Sequence, residues 1–517
     1  MSYITIPVCE PTVEKFIESI RLAAAQKPDI IELRLDSLKE IKNGDITAQI
    51  VKEAKRHARI IVTCRDGAEG GENNHPWEKR FTVLMQAFVL GADFIDVELA
   101  NYETAFFKEH IDEYLSKYPV PRLILSAHSF NGPFDSLADI YARMQAANPK
   151  AIAKIAYRAN HINDCFAGFD LLHRRKSDMI VLCMGPAGVI SRIITPKTGN
   201  FLTFASMGEN KESAPGQLSI KQMRSLYRFD SINSDTKLYG IIGSPVGHSA
   251  SPAIYNGSFN ASGHNGVYLP LLIEGGKQEF DLFLDNVKSR PWLGFKGFSV
   301  TIPHKTNAFE YVRDMGILND SARPIGAINT VAIAESGVIS GCNTDYAGVL
   351  NPLTKALGSL KGKKAAVIGA GGVSKAAIAA LVNNGAKTTI FNRTVEKAAA
   401  LAKLFNCDFD SIDNSGRLKT EAFDIIINCT SVGMSPNIDQ SPLPPHALTS
   451  AMTVFDTVYN PVQTKLLKAA MDAAAATVNG LEMFVEQAIE QYGILTGEEA
   501  CKEIIERVLR EKFLTNN

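Results

Sequence analysis

VIGAGGVSKAA, residues 367–377, decides how the second half of this chain folds. Residues 365–368 are apolar and lead into Gly369, Gly371 and Gly372, and residues 374–381 then favour a helix. Strand, glycine turn and helix in that order open a dinucleotide-binding unit. Gly369 permits the tight turn and Gly371 lets backbone approach a pyrophosphate, while the amides that start the helix face the anion. Gly369, Ala370, Gly371, Gly372 and Val373 are therefore the candidate cofactor cradle. Ser374 stands where the third glycine of G-x-G-x-x-G would be, so the flanking strand and helix carry the reading; a glycine turn alone is only a turn.

The next strand names the dinucleotide. KTTIFNRT, residues 387–394, ends in Asn392, Arg393 and Thr394. A unit that prefers NAD ends this strand in an acidic residue for the ribose 2′-hydroxyl. Here there is none, and Arg393 can pair a 2′-phosphate and stack on adenine, so NADP is expected. AFDIIINCTSVGM (422–434), TVFDTVYNPVQTKLL (453–467) and NGLEMFVEQA (479–488) continue the unit. Residues 497–513 have helical periodicity and are expected to pack back on the preceding, substrate-binding part.

Bulk properties narrow the class. With 517 residues the chain should hold two or more domains. A net charge of −1 with 21% charged residues points away from nucleic acid and anionic membrane surfaces. No apolar run approaches the ~18 residues of a membrane span, and MSYITIPVCEP at the start does not read as a signal peptide. Eight cysteines lie scattered without a C-x-x-C pair, most of them in apolar runs such as those of Cys64, Cys183 and Cys429. Reduced buried thiols in the cytoplasm are expected, and no metal site.

The first half repeats one pattern. YITIPV begins at Tyr3, DIIELRL at Asp29, RIIVTCR at Arg59, DFIDVEL at Asp93, RLILSAHS at Arg122, AIAKIAY at Ala151, DMIVLCM at Asp178 and NFLTFAS at Asn200. A helix-compatible segment follows each. Eight such units in little over 200 residues predict an α/β fold with a (β/α)8 barrel, an open doubly wound sheet being the alternative. A barrel should gather its chemistry at the C-terminal ends of its strands. Glu32 and Arg34 end the second strand, Arg65 the third with Glu69 four residues on, and His128 the fifth; Lys154 lies within the sixth, Arg192 follows the seventh, and Ser213 and Gln217 follow the eighth. Lys154 is flanked by Ile152, Ala153, Ile155 and Ala156. Taken as an ammonium buried without a partner, it would have a lowered pKa, and a neutral amine can attack a ketone to form a Schiff base. The bland alternative is an edge lysine reaching water. His128 on the neighbouring strand becomes a candidate general acid and base. Arg34, Arg65 and Arg192 would converge on a carboxylate.

These residues carry a resemblance. ELRLD, TCRDGAEGG, LSAHSF, AKIA, GVISR and SAPGQ, in that order, resemble the motifs of type I 3-dehydroquinate dehydratase. The resemblance implies Lys154 as the Schiff-base lysine, His128 as the base that later protonates the leaving hydroxyl, and Glu69 as its orienting partner. It further implies Arg65, Arg192, Ser213 and Gln217 as contacts to carboxylate and hydroxyls; Glu32 and Arg34 join them as substrate-binding candidates.

After a polar joint, RFDSINSDTK at 228–237, comes LYGIIGSPVGHSASP at 238–252, where Ser249 and Ser251 alternate on one loop. KGFSVTIPHK (296–305) places Lys305 just beyond a strand, and GAINTV (326–331) and GCNTDYAG (341–348) follow. Lys305 and Asp345 together could hold and protonate an oxygen that gains charge during hydride transfer; a surface salt bridge is the bland reading. With GAGGVSKAA, NRT, NCTSVGM, YNPVQT and MFVEQA, these stretches resemble shikimate dehydrogenase. That resemblance implies reduction of 3-dehydroshikimate by NADPH, with Lys305 and Asp345 as the catalytic pair. Ser249, Ser251, Thr301, Asn329, Tyr459 and Gln487 would hold substrate, and Gly369, Gly371, Gly372, Asn392, Arg393 and Thr394 the cofactor.

The combined expectation is a fused enzyme in which the first half makes the ketone that the second reduces. Expected limits are 1–225 for the barrel, 226–236 for a linker, 237–350 for the substrate domain, 351–488 for the Rossmann domain and 489–517 for a C-terminal helix. The short joint suggests domains in nearly fixed contact, and with it channelling. Quinate as the second substrate, and a non-catalytic pathway sensor, are the rival readings.

Overall fold

A computed structural model describes residues 2–41, 44–118, 122–208, 214–320 and 322–513. Ser213 lies outside the described residues. The chain divides into two compact units: Met1–Lys237 with Asn265–Glu274 and Leu282–Gly294, and Leu238–His264 with Gly275–Asp281 and Phe295–Asn517.

The first unit is built on eight parallel strands: β1 (Tyr3–Val8), β2 (Ile30–Arg34), β3 (Arg59–Thr63), β4 (Phe94–Glu98), β5 (Arg122–Ser129), β6 (Ile152–Arg158), β7 (Met179–Met184) and β8 (Leu202–Phe204). All eight fall on the stretches read from the sequence. They pair in the order β7-β6-β5-β4-β3-β2-β1-β8. The two outer strands meet at a seam: Phe201 N–H donates to the Met179 carbonyl at 2.8 Å, and the Asn200 side chain bonds both backbone groups of Val181, at 3.1 and 2.8 Å. The ring is thus a barrel and not an open sheet.

Alternation along each strand stacks the interior in layers. Ile30, Ile61, Phe94, Ile124, Ile152 and Ile180 form an apolar floor, with Leu182, Leu202 and Phe204 in the same cluster. Two residues on along five of these strands stand Glu32, Thr63, Asp96, Ser126 and Lys154; two further stand Arg34, Arg65, Glu98, His128 and Ala156. Water is excluded below, so the polar groups above must satisfy one another.

The expected linker is packed, not extended. Tyr227, Phe229 and Ile232 are buried, and Phe229–Ser231 forms a 3-10 turn. Their burial outweighs the polar composition on which the linker reading rested. Within this unit Arg290 also binds Asp170 through two bonds of 2.8 and 2.7 Å.

The second half of the chain adds two sheets. One has the order β10-β9-β11-β13-β14-β12, with β9 (Lys237–Gly243), β10 (Gly266–Leu272), β11 (Phe295–Val300), β12 (Ile317–Leu318), β13 (Thr330–Ile333) and β14 (Ile339–Cys342). The other is parallel throughout, in the order β17-β16-β15-β18-β19-β20. Its strands are β15 (Lys364–Ile368), β16 (Lys387–Asn392), β17 (Asp408–Ser411), β18 (Ile425–Asn428), β19 (Thr453–Asp456) and β20 (Ala476–Val478). Counted from β15 this is the 3-2-1-4-5-6 order of a Rossmann sheet, whose reversal lies between β15 and β18. Apolar clusters cover both of its faces. Two expected limits, 350 and 488, fall inside the helices Asp345–Leu357 and Gly480–Thr496. Continuous hydrogen bonding makes a helix interior a poor division, so these helices join the parts they were expected to separate. The last helix, Lys502–Phe513, packs on the helix Ser251–Ser262, where a Cβ built on Gly257 would lie 3.1 Å from Ile504.

Candidate active sites

In the barrel one cleft gathers the expected residues: Glu32, Arg34, Arg65, Glu69, His128, Lys154, Arg192 and Gln217 all line it, with Phe130, Leu182, Met184 and Phe204 as apolar walls. Lys154 is 4% exposed, so it does not reach water from an edge. It is not an ammonium without a partner either, which corrects the premise of the sequence argument. Its Nζ donates to Asp96 Oδ2 at 2.7 Å, lies 3.9 Å from Glu32 Oε1 and sits 4.9 Å above the Phe204 ring. β4 supplies Asp96 because positions 94, 96 and 98 point inward. Burial would raise the Asp96 carboxyl, but Arg65 and Lys154 hold it well below the usual range.

The three arginines line this one cleft, and two of them already hold carboxylates. Arg34 is held by Asp36 through bonds of 2.9 and 2.8 Å. Arg65 binds Asp96 at 2.9 Å, Glu98 at 3.0 Å and Ser126 at 2.7 Å. Buried guanidinium groups need such partners, and the carboxylates of β4 and the turn after β2 provide them. Arg192 enters the same cleft from the helix Val189–Ile193. Asp96, Glu98 and Ser126 were missed in the sequence. The signal was there: DFIDVEL puts two acids inside an apolar strand, just as AIAKIAY does with its lysine.

His128 and Glu69 form a dyad. Glu69 Oε2 accepts from His128 Nδ1–H at 2.9 Å and from its backbone N–H at 3.1 Å. That leaves Nε2 as the basic nitrogen. Burial, then the positive charges of Arg65 and Lys154, push the His128 imidazole well below its ordinary value, so it is neutral at pH 7. Burial raises Glu69 to about 7; Arg65 opposes this, and Glu98 and Asp96 add to it. Gly70 has φ +87°, and a Cβ there would meet the Phe130 ring at 2.6 Å, so the loop carrying Glu69 closes tightly over the ring stacked beside His128.

In the second unit Lys305 begins the helix Lys305–Met315, and Asp345 begins the helix Asp345–Leu357. Lys305 Nζ donates to Asp345 Oδ2 at 2.7 Å, with side chains 31% and 7% exposed, so the pair sits on a wall of the protein and not on open surface. Asn329 Nδ2 donates to Asp345 Oδ1 at 3.0 Å, and Asn329 Oδ1 accepts from Thr344 N–H at 2.9 Å. The sequence had not singled out Asn343, whose Oδ1 accepts from Asp345 N–H at 3.0 Å, or Gln491, whose Nε2 donates to the Asn329 carbonyl at 2.9 Å. Ser249 accepts from the Ser251 N–H at 3.2 Å, so their loop is a turn into a helix and not an extended strand. Thr301 follows β11, where its N–H donates to the Ile242 carbonyl at 2.9 Å. Gln487 is half-buried on the helix Gly480–Thr496, and Tyr459 is 39% exposed with its ring against Phe484.

The cradle suits a dinucleotide. Gly369 has φ +111°, which favours glycine, and a Cβ there would lie 2.9 Å from Thr430. A Cβ at Gly371 or Gly372 would meet nothing within 4 Å, so an open face lies before the helix Gly372–Asn383. Ser374, in place of the third glycine, is buried and accepts from Gly371 N–H at 3.0 Å. At the end of β16 Asn392 Nδ2 donates to the Thr394 carbonyl at 2.8 Å and Arg393 is exposed beside it. These residues fit an adenine nucleotide bearing a 2′-phosphate.

Comparison with known proteins agrees with this geometry. The family model described as type I 3-dehydroquinase matches residues 4–234. The shikimate dehydrogenase substrate binding domain matches 241–331, and shikimate/quinate 5-dehydrogenase 353–443. A chloroplastic bifunctional 3-dehydroquinate dehydratase/shikimate dehydrogenase of Arabidopsis thaliana is 37% identical over 524 residues, covering 98% of this chain and 84% of its own. An NADP(+) shikimate dehydrogenase of Bacillus subtilis is 39% identical over 51% of this chain and 92% of its own. A solved shikimate 5-dehydrogenase from Listeria monocytogenes, in complex with shikimate and NAD, is 31% identical over 54% of this chain and 98% of that one, with a TM-score of 0.50. No described helix is long and apolar enough to cross a membrane.

Proposed function

This chain belongs to the bifunctional 3-dehydroquinate dehydratase/shikimate dehydrogenase family, and on that premise we propose how its own residues carry out the two reactions. It is an enzyme of the shikimate pathway: it dehydrates 3-dehydroquinate to 3-dehydroshikimate and reduces that ketone to shikimate with NADPH. Its substrates are small molecules. The whole-length likeness to a bifunctional relative carries the function, and the buried polar layers support the residue roles.

In the barrel Lys154 Nζ gives up a proton and adds to the ketone carbon, and that proton returns to the former carbonyl oxygen, which leaves as water to give an iminium. Asp96 and Glu32 stabilise that cation. His128 Nε2 takes the proton from the adjacent carbon, and the electron pair moves into an enamine. The enamine expels the hydroxyl, which leaves as water with the proton from His128, and hydrolysis of the imine restores Lys154. Glu69 holds the tautomer that keeps Nε2 basic. Arg65 is a positioning residue for Asp96. Arg34 borders the cleft, and Arg192, Ser213 and Gln217 contact carboxylate and hydroxyls.

NADPH supplies a hydride to the second reaction. Lys305 Nζ donates a hydrogen bond to the ketone oxygen and stabilises its developing charge, and the Lys305–Asp345 pair delivers the proton that completes the hydroxyl. Asn329 orients Asp345. Ser249, Ser251, Thr301, Tyr459 and Gln487 bind substrate carboxylate and hydroxyls. Gly369, Ala370, Gly371, Gly372 and Val373 hold the pyrophosphate, and Asn392, Arg393 and Thr394 the adenosine 2′-phosphate. The eight cysteines are all free thiols, which supports a reducing compartment, and we assign the cytoplasm.

Purified protein given 3-dehydroquinate and NADPH, with no other enzyme, tests both halves together. NADPH consumption is expected; consumption only when 3-dehydroshikimate replaces 3-dehydroquinate would remove the dehydratase.

A further inference from the structure

The parallel sheet beneath the glycine turn holds a buried carboxylate that neither reaction uses. Asp456 ends β19, is 0% exposed, and is paired in register with Asn428, the last residue of β18. Its Oδ1 accepts from Asn428 Nδ2 at 2.9 Å and from Val458 N–H at 3.1 Å, and its Oδ2 accepts from Thr464 Oγ1 at 2.6 Å. Among the described residues no cation pairs with it. Burial pushes its carboxyl above the ordinary value, while the bonds from Thr464, Val458 and Asn428 pull it back. Three donors aimed at two oxygens suit a carboxylate, and a side chain without oxygens in its place would leave all three without their acceptor.

Each donor leads to a different segment. Asn428 Oδ1 accepts from Thr430 N–H at 3.0 Å and Thr430 Oγ1 at 2.7 Å, which pins residues 428–430. Thr430 is the residue whose methyl would lie 2.9 Å from a Cβ on Gly369, so this loop packs on the cofactor turn. Val458 precedes Tyr459, and its carbonyl would lie 2.4 Å from a Cβ on Gly480, the first residue of the helix that carries Gln487. Thr464 caps the helix Lys465–Asp472, accepting from Leu467 N–H at 3.3 Å.

We propose that Asp456 is a positioning residue that sets the cofactor and substrate subsites of the dehydrogenase together. Through Asn428 and Thr430 it holds a loop against the glycine turn, and through Val458 it fixes the backbone entering Tyr459. The proposal rests on the reading that this turn takes NADPH and that Tyr459 takes substrate.

Kinetics of the full-length protein test it. In Asp456→Ala, which removes both acceptor oxygens, the KM for NADPH and the KM for 3-dehydroshikimate both rise about tenfold, with a smaller loss in kcat. Thr430→Val cuts only the cofactor arm and raises the KM for NADPH alone. In the double variant that KM is no higher than in the worse single variant, because both changes act on one chain of bonds. Turnover at saturating NADPH and 3-dehydroshikimate reports that the second unit has folded. Thr464→Val, which removes a single contact to Asp456, gives the same pair of shifts at smaller size and serves if Asp456→Ala does not fold. Unchanged KM values in Asp456→Ala or Thr464→Val, or additive effects in the double variant of Asp456→Ala with Thr430→Val, would reduce Asp456 to a packing contact. Tyr459→Phe with an unchanged KM for 3-dehydroshikimate would overturn the Tyr459 assignment alone, leaving the cofactor arm to judge Asp456.

Discussion

The two active sites solve opposite problems. In the barrel the proposed electrophile is made by the protein, and the charges in contact with Lys154 are buried. Lys154, Asp96, Arg65 and Glu98 form one chain of contacts of 2.7, 2.9 and 3.0 Å, none of the four more than 4% exposed. In the dehydrogenase the reducing group arrives from outside. The site holds the ion pair Lys305–Asp345, with the lysine side chain 31% exposed. A side chain that must lose a proton and attack carbon gains from a dry, preorganised pocket. One that only steadies an oxygen can stay half in water until substrate and cofactor close over it.

Removing the reactive amine breaks the comparison most severely. Lys154→Ala should cut dehydratase turnover on the order of 10^4-fold while shikimate oxidation continues, and borohydride should no longer trap 3-dehydroquinate on the chain. Trapping that persists in the variant would move the Schiff base to another lysine. At the second site Lys305→Ala should lower dehydrogenase kcat by about 10^2- to 10^3-fold with an unaltered dehydratase. A loss confined to KM would mean that Lys305 only binds. Arg393→Ala comes next: the KM for NADPH should rise about 10- to 30-fold and that for NADH stay level, since only the former has a 2′-phosphate to lose. Equal change in both would place Arg393 on adenine instead.

The smallest effect sharpens the difference in burial. Glu69 is raised from 4.5 to about 7, so the folded state holds its proton more tightly than the unfolded one. That contribution is complete below pH ~4.5 and is lost as pH rises through ~7, leaving an ionised Glu69 that strains the fold. Glu69→Gln should therefore be the more stable protein at pH 8, by roughly 1–3 kcal/mol or several degrees in the melting of the barrel, and no more stable at pH 4. The same variant should weaken dehydration and remove the acid limb of its pH profile near 7. A variant less stable at pH 8 would show that the bonds to His128 outweigh the burial.

How much was legible follows from how local each signal is. Apolar, β-branched runs separated by helix-compatible segments marked all eight barrel strands, because parallel strands are covered on both faces. The glycine turn and the strand ending in Asn392 and Arg393 were legible because few residue types tolerate those positions. Lys154 was found by its contrast with apolar neighbours, yet Asp96 and Glu98 in DFIDVEL were passed over. Nothing local says that Asp96 faces that lysine, 58 positions away, or that Glu98 faces Arg65. The arginines show the converse. Arg34 and Arg65 were correctly placed at strand ends, but their engagement by Asp36, Asp96 and Glu98 depends on which layers meet inside the ring. Asn428 and Asp456 lie in runs that read simply as buried strands, and only their register makes them one network.

The sequence by itself determined the elements, the order of the two enzymes and the candidates for the reactive groups. Each of these follows from residue type and short-range spacing. Tertiary structure alone decided which charges neutralise which, that the joint is packed into the first unit, and that helices run across two of the expected limits. Those outcomes turn on distances between residues far apart in the chain, where Coulomb and hydrogen-bond energies change steeply over a few ångströms.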